Sequence, residues 1–171
     1  STNEDVPLTI PIATLLANDS PGPGEDIYLP VQTLSITSVA AVTANAGSVA
    51  IVGSNVVYTP AADFNGQFLF TYVAQDSGTP PLSGTATVTV TVAAVNDDPI
   101  ANPDTYAGTE DTVLTINASS TNIVAGNVLF NDRPGPPTAI DEVGQQLSVT
   151  GVSATSSQGG AVSFAAGVIS Y

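Results

Sequence analysis

The sequence predicts an all-β protein of tandem antiparallel β-sandwiches, the second of them incomplete in this chain. Three observations carry that prediction. Period-two alternation is plentiful while helical periodicity is missing; the alternating runs are short and bounded by turn residues; and the whole arrangement occurs twice.

The elements follow in order. Leu8 to Ile12 opens the first repeat as a strand. Asp19 to Gln32 is rich in Pro and Gly, and Pro21, Pro23 and Pro30 forbid a hydrogen-bonded ladder there, so a long surface loop is expected. Leu34-Ser35-Ile36 starts the next strand. Ser48 to Val52 and Asn55 to Tyr58 flank Gly53-Ser54, a dipeptide suited to a tight hairpin turn. Phe68, Phe70 and Tyr72 alternate with Leu69, Thr71 and Val73. In Thr85 to Val92, Val occupies one face and Thr the other, the pattern of a half-buried strand.

The same text then returns. Thr9-Ile10 reappears as Thr115-Ile116, and Asn18-Asp19-Ser20-Pro21-Gly22-Pro23 as Asn131-Asp132-Arg133-Pro134-Gly135-Pro136. From Asn18 the offset is a constant 113 residues, so Leu34 matches Leu147, Gly47 matches Gly160 and Tyr58 matches Tyr171. The offset is 106 before that point, which places a seven-residue insertion between Asp111 and Asn131, expected as an extra turn in Asn117 to Gly126. A period this long means whole domains rather than solenoid units, which repeat every 20–50 residues or so. Residues 1–97 form the first repeat and 98–171 the second. The second lacks counterparts of the Phe-Tyr and Thr-Val strands, so the chain reads as a piece of something longer.

Composition excludes several functions. Fifteen of sixteen charged residues are acidic, Arg133 is the sole base and the net charge is −14. Nucleic acid is excluded as a partner, because neutralising phosphates takes Lys and Arg. Anionic membrane surfaces are disfavoured for the same reason, and no run of 18 apolar residues is present for membrane insertion. Without His, Cys or Lys the usual general bases and activated nucleophiles are missing, so no enzymatic activity is expected.

The acids gather at the ends of the repeats. The linker Val95-Asn96-Asp97-Asp98-Pro99 leaves the bottom of the first sandwich. The loop after the first strand, carrying Asp19, and the loop entering the Phe68 strand, carrying Asp63, are expected at that same end. Glu110-Asp111 is expected at the top of the second sandwich. Asp19, Asp63, Asn96, Asp97, Asp98, Glu110 and Asp111 would then converge on one junction as ligands of calcium, which takes six to eight oxygens in flexible geometry. A plainer reading stands beside this one. The linker is then a solvated spacer whose Pro99 fixes an extended path, and Asn18-Asp19 and Asn131-Asp132 cap turns. Asp76 is expected as a turn residue, and Glu25, Asp26, Asp141 and Glu142 as solvated loop charges. Tyr58, Phe64, Phe68, Phe70 and Tyr72 are expected in the core.

Taken together, Thr109 to Asp111, Leu129 to Pro136, Val56 to Gly66, Phe70 to Asp76 and Val95 to Pro99 resemble the motifs of cadherin-like tandem repeats. Such repeats occur in large bacterial surface proteins and adhesins, and the resemblance covers essentially the whole chain. It implies an immunoglobulin-like sandwich, an extracellular place on the bacterial surface or in secreted form, and calcium at inter-repeat junctions. One departure is visible: where animal cadherins carry an acidic Asp-x-Glu loop, this chain has Asp63-Phe64-Asn65.

The expected function is a structural extender, stiffened by calcium, whose partners are neighbouring repeats of the same polypeptide. Two alternatives stay open. One is a module that binds a surface glycan or protein through the Pro/Gly loops. The other is a subunit of a homopolymer, completed by strands from a neighbour.

Overall fold

The computed structural model describes residues 1–22 and 32–171, which fall into two compact units, Ser1–Val95 and Asn96–Tyr171. Most of the Pro/Gly-rich stretch expected as a loop after Asp19 lies outside the described residues.

Unit 1 is an all-β sandwich. Its strands are β1 (Thr2–Asn3), β2 (Leu8–Pro11), β3 (Leu34–Ala41), β4 (Gly47–Val52), β5 (Asn55–Pro60), β6 (Gly66–Asp76) and β7 (Ser83–Ala93). One sheet has the order β1-β7-β6-β3 and the other β2-β5-β4. β6 and β7 pair antiparallel from Gly66↔Val92 to Gln75↔Ser83, so Gly66 stands where the chain leaves the sandwich and Asp76 at the opposite end.

Alternation decides which side chains meet. Phe68, Phe70 and Tyr72 of β6, with Val90 and Val92 of β7, face Val56 and Tyr58 of β5 in a single buried cluster, while the Thr residues of β7 face solvent. Tyr58 and Phe68 stack across the sheets with ring centroids 4.0 Å apart. The Tyr58 hydroxyl, buried with its ring, donates to the carbonyl of Ala46 at 2.7 Å. A buried hydroxyl left unpaired would oppose folding, so this bond is what permits Tyr at the centre of the core.

The strand expected over Leu8 to Ile12 is present as Leu8–Pro11, but it is the second half of a longer first strand. That longer strand is split in two, with Thr2–Asn3 pairing parallel to the last residues of β7 and Leu8–Pro11 pairing antiparallel to β5 in the other sheet. Pro7 lies at the break, where its missing N–H precludes a continuous ladder. After Pro11 the chain makes a single helical turn, α1 (Ile12–Leu15), and a 3-10 turn over Leu16–Asn18. Neither is long enough to leave a periodic signal in sequence.

Unit 2 repeats the smaller sheet of unit 1 in the same register. Its strands are β8 (Thr115–Asn117), β9 (Ser163–Ala165) and β10 (Val168–Ser170), in the order β8-β10-β9. Ile116 pairs with Ile169 as Ile10 pairs with Val56, and Phe164 pairs with Ile169 as Ile51 pairs with Val56. The hairpin turn Gly53-Ser54 becomes Ala166-Gly167, with Ala166 at φ 49° and Gly167 at φ 76°, the left-handed pair of a tight hairpin. Gly47 is required by close approach of backbone, and Gly160 lies against a side-chain ring. A Cβ on Gly47 would lie 2.2 Å from the Thr59 carbonyl oxygen, and one on Gly160 would lie 2.3 Å from the Tyr171 ring.

The insertion occupies turns between β8 and Leu129, gathered by Asn127. Its buried amide donates to the carbonyls of Ser119 and Asn122, both at 2.9 Å, and its Oδ1 accepts the Leu129 N–H at 2.8 Å. Leu147-Ser148-Val149, expected to open a strand, carries none. Its counterpart β3 is held in unit 1 by β6, and no described segment within 96–171 offers 147–149 such a ladder. Among the described residues no helix is long and apolar enough to cross a membrane.

Candidate metal centre

The split first strand determines where the first acids go. The parallel pairing of β1 with the end of β7 continues one residue further, as Glu4 N–H donates to the Ala93 carbonyl at 2.9 Å. The chain then turns back through Asp5, at φ 57°, and the turn is closed by Thr2 Oγ1 donating to the Val6 carbonyl at 2.8 Å. Glu4 and Asp5 therefore sit where the last strand of unit 1 ends.

The loop between β5 and β6 reaches the same place. Asp63, at φ 55°, donates its N–H to Asp5 Oδ1 at 3.1 Å, and carboxylate oxygens of the two residues lie within 4.8 Å of each other. Asn65 donates its side-chain amide to Glu4 Oε2 at 3.5 Å, while Glu4 Oε1 accepts the Val95 N–H. Glu4 is only 3% exposed. Left-handed φ favours Gly, Asn and Asp over other residues, so Asp at both turns satisfies the backbone and brings charge together at once.

Three carboxylates and a side-chain amide thus share one end of unit 1, and residues 1–95 contain no Lys, Arg or His. Like charges at this spacing repel, and the donor set consists of oxygens alone. A buried carboxylate among acids suits a hard cation such as calcium, which accepts carboxylate, amide and backbone oxygens together.

Within unit 1 the two residues expected to converge lie at opposite ends. Asp63 is at this end. Asp19 is not: it accepts the Tyr72 hydroxyl at 2.7 Å, and Tyr72 lies six residues along β6 from Gly66, roughly 20 Å at strand rise. Because β2 starts near Leu8↔Tyr58 and runs to Pro11↔Asn55, the chain emerges from it at the opposite end of the sandwich. There Asp19 lines a cavity of about 320 Å³ with Tyr72, Asp76 and Leu82. Asp76 is buried there as a turn residue, its Oδ1 accepting the N–H groups of Gly78 and Leu82. Burial, the Asp19 hydrogen bond and the Asp19 charge together push the Tyr72 hydroxyl up to about 12.

In unit 2, Asn96 donates to the Asp97 carbonyl and accepts from Gln145, and Asp98 is exposed. Asp97 donates its N–H to Glu142 Oε1 at 2.9 Å. Glu142, expected as a solvated loop charge, is instead 1% exposed. Asp132, the counterpart of Asp19, accepts the Asn102 N–H at 2.7 Å. Glu110 and Asp111 are exposed, and Asp111 at φ 61° copies the Asp5 turn. They line a cavity with Tyr106 and Tyr171. By the repeat they match Glu4-Asp5, which stand where unit 1 ends its last strand rather than where a unit begins.

Glu4, Asp5 and Glu142 are thus candidate site residues that sequence reasoning missed. Pro7 was the available signal for the first two, since a strand broken there frees its leading residues to join the other sheet. Nothing in the Pro/Gly loop text distinguishes Glu142 from a solvated charge.

A family model described as a cadherin-like domain matches residues 1–93, over half of the chain. A search of curated proteins finds no match.

Proposed function

The chain belongs to the cadherin-like domain family, and from that membership we propose that it is a structural extender of a large extracellular bacterial surface protein or adhesin, stiffened by calcium where repeats follow one another. The observation that carries this reading is the set Glu4, Asp5, Asp63 and Asn65 at the exit of unit 1. In chain order, Asn96-Asp97-Asp98 follow directly. Glu4, Asp5 and Asp63 hold the ion; calcium supplies positive charge that offsets their repulsion and stiffens the end of unit 1 from which the linker leaves. Without the ion the linker pivots. The partners are neighbouring repeats, and the role is spacing rather than chemistry.

An ion that binds the folded protein alone adds RT ln(1 + [L]/Kd) to stability, about 2.7 kcal/mol at a hundredfold excess over Kd. Melting the chain in excess calcium and then in chelator tests the reading. A higher melting temperature in calcium supports it; equal temperatures contradict it.

A second reading, binding of a surface glycan, is favoured by the cavity at the far end of unit 1. Two carboxylates, Asp19 and Asp76, line it with the hydroxyl residues Ser20, Ser83 and Thr85 beside apolar Leu34 and Ala74. Carboxylates and hydroxyls pair with sugar hydroxyls, and about 320 Å³ is near the lower end for ligand pockets. Glycan-array binding abolished by Asp19→Ala would support it, and an empty array would end it.

A further inference from the structure

Glu142 presents a physical problem. A carboxylate withdrawn from water must be compensated by donors or by a cation. Its Oε1 accepts the Asp97 N–H at 2.9 Å, but its Oε2 is buried and meets no donor among the described residues. Arg133 lines the same cavity, of about 280 Å³, yet is not within hydrogen-bond distance of that oxygen.

The surroundings are built to admit this side chain. Gly135 lies against it: a Cβ there would stand 2.6 Å from Glu142 Cγ and 3.5 Å from Asp97 Cβ. The side chains of Glu142 and Asp97 therefore converge on one glycine. The bond from the Asp97 N–H orients the carboxylate, leaving Oε2 without a donor among the described residues. Two convergent carboxylates, with no sulfur or imidazole ligand anywhere in the chain, call for a hard divalent cation rather than a softer metal.

We propose that Glu142, with Asp97, ligates calcium within unit 2 through its buried Oε2. The inference rests on the calcium reading above and adds to it a ligand drawn from the variable Pro/Gly loop. At the same offset the first repeat carries Leu29, so the ligand is particular to the second repeat. Calcium sites along the polypeptide therefore differ in strength with the loop sequence each repeat carries.

The test is calorimetric titration of the whole chain with calcium, comparing wild type, Glu142→Gln and Glu4→Gln. Glu142→Gln should lose one binding event or weaken it at least about tenfold, since ligand charge sets the affinity of oxygen sites over several decades. Glu4→Gln should retain that event. In chelator Glu142→Gln should melt at or above the wild-type temperature, because a neutral amide replaces a buried charge, an outcome that loss of a merely structural contact would not give. Glu142→Asp, which keeps the charge but withdraws it by one methylene, should bind more weakly than wild type, and it serves if the Gln variant does not fold. A wild type that binds calcium while both Glu142 variants match it site for site overturns this inference alone. A wild type that binds no calcium overturns the calcium reading and this inference with it.

Discussion

The backbone N–H of Asp63 donates to Asp5 Oδ1 over 3.1 Å, joining the corner after β1 to the loop before β6, and both residues hold left-handed backbone. Backbone economy and charge placement coincide at this contact. Asp tolerates the conformation that each turn needs, and two such turns set side by side concentrate acid where the last strand ends.

Replacing both residues by Asn separates the two roles. Asn keeps the left-handed backbone and the acceptor while removing the charge. Asp5→Asn with Asp63→Asn should melt at or above the wild-type temperature in chelator. It should lose most of the gain conferred by calcium, several degrees at about 4–8 °C per kcal/mol for a domain of this size. Scanning calorimetry in the two conditions checks both signs.

The core prediction concerns Tyr58 and Phe68. Tyr58→Phe removes a buried hydroxyl and leaves the Ala46 carbonyl with only the 3.3 Å bond from the Ala61 N–H, for a loss of about 1 kcal/mol. Phe68→Ala leaves a cavity beneath the stacked Tyr58 ring and should cost about 3–5 kcal/mol. Urea midpoints at unchanged slope measure both.

Tyr72 makes a prediction in alkali. Its hydroxyl is raised from 10.0 to about 12 in the folded chain. A folded value above the unfolded one contributes stability that is fully present below pH 10 and is lost as pH rises toward 12. Asp19→Asn removes the carboxylate that accepts its proton, so Tyr72 should ionise at lower pH. Tyrosinate absorbance across an alkaline titration reads the shift.

These cases show what was legible in sequence. The alternation of Val and Thr along β7 and of the aromatics along β6 announces buried faces directly, because period two is a local property of extended chain. The constant offset of 113 carries the hairpin pair Ile51 and Val56 onto Phe164 and Ile169 in the same register, since equal spacing preserves it. The position of Asp19 was not legible: it depends on which way the chain runs as it leaves β2, and the split at Pro7 makes the first strand serve two sheets. Glu142 was hidden for another reason. Its burial follows from the bare backbone of Gly135 against its side chain, a tertiary contact without local periodicity.

The central claim is mechanical, and small-angle scattering of the whole chain tests it most directly. In excess calcium the distance distribution should lengthen and narrow relative to chelator, as the linker after Val95 stops pivoting. Superimposable scattering curves in the two conditions would contradict the claim.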